Sequence, residues 1–98
     1  MESEIWMGTV EINVAASESP DAMKRAFTVI TMWAQHYDEF KRKSVQMVES
    51  HGWKLLNIER AGPVPDDRIF SNDVEDMLER TRENRKAVIY GTFHSYLK

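Results

Sequence analysis

The chain has 98 residues, 42% of them apolar and 30% charged, with a formal net charge of -3. That size and balance predict one α/β or α+β domain over residues 1–98, with a single modest core. Cysteine is absent, which excludes disulfides and thiolate metal sites, and the negative charge argues against a nucleic-acid backbone as the main partner.

No apolar run approaches the ~18–20 residues needed to cross a membrane. No charged-then-apolar leader opens the sequence either. The expectation is a cytoplasmic protein with no membrane partner.

Ile5 to Ala16 alternates with period two and predicts a first strand. Trp6, Gly8, Val10, Ile12, Val14 and Ala16 fall on one face, with Met7, Thr9, Glu11 and Asn13 on the other. Ser19-Pro20-Asp21 then reads as a helix start, with Ser19 as N-cap and Pro20 at the first helical position. Neither Gly nor Pro follows until Gly52, a C′ candidate, and Phe27, Ile30, Trp33, Tyr37 and Phe40 recur at helical spacing. A helix over 20–51 would be roughly 48 Å long. A domain of this size has a radius of gyration near ~13 Å. A bend or break near residues 38–44, where Asp38-Glu39 and Lys41-Arg42-Lys43 cluster, is the expected resolution.

Trp53 to Ala61 predicts a second strand with apolar residues on both faces, and Gly62-Pro63-Val64-Pro65-Asp66-Asp67 a loop. Ile69 and Phe70 are expected to dock that loop onto the core. A short second helix begins near Ser71-Asn72-Asp73, turns Val74, Met77, Leu78 and Thr81 inward, and ends near Asn84. Ala87 to Leu97 predicts the last strand, rich in β-branched and aromatic residues. The order is therefore β-α-β-α-β: a three-stranded sheet with a long, bent or broken first helix. Helical connections favour parallel pairing with the helices on one main face.

Sites with chemistry are sparse. His36, His51 and His94 lack the i, i+4 spacing of a helical zinc motif, and no carboxylate completes a metal triad. His94 and Ser95 are adjacent strand residues that point apart, which makes a poor catalytic dyad. There is no Gly-x-Ser-x-Gly elbow and no Gly-rich phosphate loop. No catalytic residue, cofactor or metal is therefore expected. Asp66 and Asp67 could serve acid–base work or bind a cation, but most simply they solvate a turn after Pro65.

The alternation of the last strand instead gathers Tyr90, Thr92, His94 and Tyr96 on one aromatic, hydroxyl-bearing face, a composition suited to an interface. If a helix covers that face, the acidic loop and helix bearing Asp66, Asp67, Asp73 and Asp76 become the binding candidates.

The passage Glu83-Asn84-Arg85-Lys86-Ala87-Val88-Ile89-Tyr90-Gly91-Thr92-Phe93 resembles the C-terminal helix-to-strand passage of small bacterial toxin-immunity proteins. The predicted element order and acidity are also similar to those of barstar, an inhibitor of a bacterial ribonuclease. The resemblance implies a non-catalytic protein that covers the active site of a basic toxin with acidic and aromatic side chains. The rival expectation is a small dimeric enzyme or ligand-binding domain with a pocket near His94, Tyr90 and the Asp66-Asp67 loop. A homodimer through the last strand is a third.

Overall fold

Two ten-residue strands, β1 (Glu4–Asn13) and β2 (Arg25–Ala34), pair antiparallel along their full length and form the middle of the sheet. The computed structural model describes residues 3–15, 24–65, 68–91 and 94–95. After β2 come α1 (Tyr37–Ser50), β3 (Lys54–Pro63), α2 (Asn72–Glu83), β4 (Ile89–Tyr90) and β5 (His94–Ser95). β3 pairs with the outer side of β1, while β4 and β5 both pair with the outer side of β2. The result is an α+β fold in the order β-β-α-β-α-β, four antiparallel strands wide, with β4 and β5 sharing one edge.

This corrects the expected β-α-β-α-β order, the three-stranded sheet, the parallel pairing and the long first helix. Residues 25–34 are a strand. β2 is covered from both sides: Ala26, Thr28, Ile30, Met32 and Ala34 are buried on one face, and Thr31 is buried on the other. A strand buried on both faces shows an apolar run that a helical period fits equally well. The four consecutive β-branched residues Thr28-Val29-Ile30-Thr31 carried the opposite signal, because their stiff side chains suit a pleated surface. The predicted helix start at Ser19–Asp21 lies outside the described residues.

The real helix begins where the polar stretch Gln35–Asp38 interrupts the strand. His36 is the N-cap, its Nδ1 accepting from the Glu39 N–H at 3.2 Å, and Glu39 reaches back to accept from the Gln35 N–H at 2.6 Å. That backbone donor holds the Glu39 carboxyl below the ordinary carboxylate range, opposed by partial burial and aided by Lys43 at 3.4 Å. The helix ends as its sequence predicts. Gly52 takes φ 77, its N–H bonds the Glu49 carbonyl, and the Trp53 N–H bonds the Val48 carbonyl.

The helices lie on opposite faces, not on one. α1 places Phe40 and Val48 against Trp6, Val10, Ile12, Ile30 and Met32 to make the main core. α2 packs on the other face against Thr31 and Trp33. β3 reaches the main core through two register shifts. Thr9 pairs with Arg60 but Val10 with Ile58, and Glu11 pairs with Asn57 but Ile12 with Leu55. Glu59 and Leu56 are skipped, so Leu55, Ile58 and Ala61 all pack against the core. Apolar residues that seem to alternate faces in the sequence share one face in the fold.

The loop expectation fails at one residue. Phe70 is half-buried, but Ile69 is 93% exposed and does not dock.

Gly8 sets how closely α1 approaches the sheet. A Cβ there would lie 2.6 Å from Phe40 Cζ and 2.6 Å from the Arg60 carbonyl oxygen. Gly8→Ala should therefore cost about 1–3 kcal/mol through overpacking. Urea unfolding measures this, and an unchanged midpoint would show that the helix has room to retreat.

Candidate functional site

α2 forms because Ser71 caps it and its charges match the helix dipole. The Ser71 hydroxyl accepts from the Val74 N–H at 3.4 Å, Asp73 and Glu75 fill the first turn, and Arg80 and Arg82 the last. Its inward stripe is the predicted one, with Met77, Leu78 and Thr81 buried and Val74 half-buried.

Thr81 fixes the helix to the sheet. Its hydroxyl donates to the Met77 carbonyl at 2.8 Å, so the Thr31 hydroxyl, 2.7 Å away, is the donor in the contact between the two threonines. The Trp33 indole N–H donates to the Thr81 carbonyl at 2.6 Å. Arg85, just beyond the helix, lays its guanidinium over the Trp33 ring at 4.3 Å.

Held this way, α2 is a ridge with a groove along each flank. One is a cleft of about 410 Å³ toward the β4 edge, bordered by Val29, Asp73, Asp76, Met77, Arg80 and Tyr90. The other, about 690 Å³, lies toward the start of β1 and the loop before α2. In the first cleft Asp76 pairs with Arg80 at 3.1 Å, with both side chains more than half exposed. Such a pair contributes roughly 0–1 kcal/mol, so a partner can readily exchange it.

Of the residues singled out from the sequence, Asp73 and Asp76 border this cleft from α2, while Tyr90 reaches it only as part of the β4 edge, its side chain turned to the α1 face against His51 and Trp53. Thr92, Tyr96, Asp66 and Asp67 lie outside the described residues. His94 does not continue the alternation of Tyr90. Tyr90 pairs with Ile30, whereas His94 pairs with Phe27, so a one-residue register slip separates them. At the slip the Gly91 N–H bonds the Val29 carbonyl, and the Gly91 carbonyl accepts from the Thr28 hydroxyl at 3.1 Å. A side chain here supplies the donor that a regular ladder would take from the backbone.

The neighbour of Tyr90 that the sequence does not reveal is His51. The Tyr90 hydroxyl lies 3.3 Å from His51 Nε2, and the His51 ring stacks on Trp53 with centroids 4.6 Å apart. His51 Nδ1 lies 2.9 Å from the Met47 carbonyl, which accepts only, so Nδ1 carries the proton and Nε2 accepts from Tyr90. The only local signal was a helix-ending His-Gly-Trp. Nothing in it points to a residue 39 positions away.

Among the described residues, no three or more His, Asp or Glu side chains are grouped to hold a metal. No helix among them is long and apolar enough to cross a membrane. No protein-family model, curated protein or solved structure matches the chain significantly. The likeness to toxin-immunity proteins therefore rests on the sequence passage alone, since the element order compared with barstar is not the one observed.

Thr81→Val leaves the buried Thr31 hydroxyl without its acceptor and should cost about 1–3 kcal/mol. Thr31→Val/Thr81→Val should be less destabilised than Thr81→Val alone, because both buried polar groups are gone. Additive losses in a double-mutant cycle by chemical unfolding would contradict the contact.

Proposed function

We propose that this chain is a non-catalytic protein-binding domain of the toxin-immunity kind, which neutralises a cognate toxin by occluding its active site. The observation that carries the reading is the pair of exposed carboxylates, Asp73 and Asp76, that border one cleft beside α2. Such carboxylates steer a basic partner during encounter and fix its register on arrival. The apolar floor of Val29 and Met77 gives a contacting side chain something to pack on.

The enzyme reading has less support. It drew on His94 and Tyr90 as members of one strand face, and the register slip breaks that alternation. The His51–Tyr90 contact that exists instead is stacked against Trp53, so one face of the imidazole is already occupied.

Co-expression with the product of the neighbouring upstream gene tests the proposal. The neighbour should be toxic alone, harmless with this chain, and recovered in a stoichiometric complex. Asp73→Lys/Asp76→Lys should weaken that complex by about tenfold or more, chiefly through slower association at low salt. A neighbour that is harmless alone and forms no complex would contradict the proposal.

A further inference from the structure

A histidine stands at each end of α1, and the two hold opposite tautomers. At the start, His36 Nδ1 accepts from the Glu39 N–H at 3.2 Å, so that nitrogen carries no proton. At the end, His51 Nδ1 carries the proton that bonds the Met47 carbonyl at 2.9 Å, and Nε2 accepts from the Tyr90 hydroxyl at 3.3 Å. Both residues are exposed, so protons reach them freely. Imidazoles change charge between about pH 5 and 8, and the imidazolium is a donor at both nitrogens. One added proton therefore acts differently at the two ends. On His36 it fills the lone pair that caps the helix and sets a cation beside the positive end of the dipole. On His51 it breaks neither bond, because the Tyr90 hydroxyl can turn and accept. There the cation meets the negative end of the dipole, with its ring stacked on Trp53 at 4.6 Å.

We propose that α1 is a one-ended pH switch: mild acid releases its first turn from the His36 cap while its last turn stays closed. The charged groups around His36 do not prevent this. On α1 these are Asp38 and Glu39, with Arg42 and Lys43 both paired to Glu39. From β1, Glu4 pairs in register with Ala34, two residues before His36, and from beyond α2 Arg85 lies over the Trp33 ring. The acids attract the imidazolium and keep it at the helix end, but attraction does not return a lone pair to the Glu39 N–H. Glu39 itself stays ionised through this range, since the Gln35 N–H holds its carboxyl below the ordinary carboxylate range. The reciprocal cap that joins β2 to α1 thus opens by halves, the His36 half on mild acidification and the Glu39 half only at lower pH. At His51 the last turn of α1 carries no base. Glu49 and Lys54 are its charged neighbours in the chain, and β4 presents Tyr90.

Imidazole nitrogen shifts and amide hydrogen exchange of the full chain, followed by NMR from about pH 8 to about pH 5, test this. At the upper end His36 should be the Nε2–H tautomer and His51 the Nδ1–H tautomer. As His36 titrates, exchange of the Glu39 N–H, corrected for its intrinsic rate, should speed up about threefold or more, the scale of a lost side-chain cap. The N–H groups of Gly52 and Trp53, which close the other end, should keep their protection. His36→Asn, which caps without titrating in this range, should abolish the response. Unchanged protection of the Glu39 N–H across the range would overturn the proposal. So would equal loss at both ends, or a loss that persists in His36→Asn.

Discussion

The contact on which both grooves depend is the junction of Thr81 with Thr31 and Trp33. A single helical residue offers a hydroxyl to one strand position and a carbonyl to another. Its Oγ1 is fully buried, so breaking one of these bonds would strand polar groups away from water. Apolar packing by Met77 and Leu78 could tolerate a helix that rolls or slides. Two hydrogen bonds on successive odd positions of β2 fix its rotation. That rotation puts Asn72, Glu75, Leu78 and Arg82 along one flank and Asp73, Asp76, Met77 and Arg80 along the other. The surface chemistry of this protein follows from how one helix is pinned.

The sheet beneath achieves its shape through broken alternation. β3 skips Glu59 and Leu56 to bring Leu55, Ile58 and Ala61 to the core. The last strand slips by one residue between Tyr90 and His94, with Thr28 supplying the missing donor to Gly91. Such irregularities are common at sheet edges, and both affected strands are edge strands here. They also bend and twist an edge, which lowers its fitness as a template for unwanted pairing.

Those same features decide what was legible in the sequence. β1 alternates cleanly because its one face meets α1 while the other is only half-covered, and its reading holds from Ile5 to Asn13, where a turn at Val14 and Ala15 ends the strand short of the expected bound. The second helix was equally legible, from a start near Ser71-Asn72-Asp73 through the Val74–Met77–Leu78–Thr81 stripe to Asn84, because local capping and a single buried stripe define it. β2 was not. Burial on both faces erases the period-two signal, and the absence of Gly and Pro from 24 to 51 hides the strand-to-helix passage at residues 35 and 36. The site was legible by halves. Asp73 and Asp76 follow from the helix and Tyr90 from strand composition, but that Tyr90 turns away from them to the α1 face needed the topology. The grouping of Tyr90 with His94 assumed unbroken alternation, and His51 entered only through a contact distant in sequence.

The Trp33 indole N–H reports on the pinning of α2 more directly than any stability measurement, because it bonds the Thr81 carbonyl itself at 2.6 Å. Its hydrogen exchange can be followed by nitrogen-resolved NMR under native conditions. If α2 is docked as described, this proton exchanges only through opening of the helix from the sheet, and its exchange should be strongly retarded. Exchange as fast as that of a free indole would mean that α2 is not held by this bond, and the two flanking grooves would lose their structural basis.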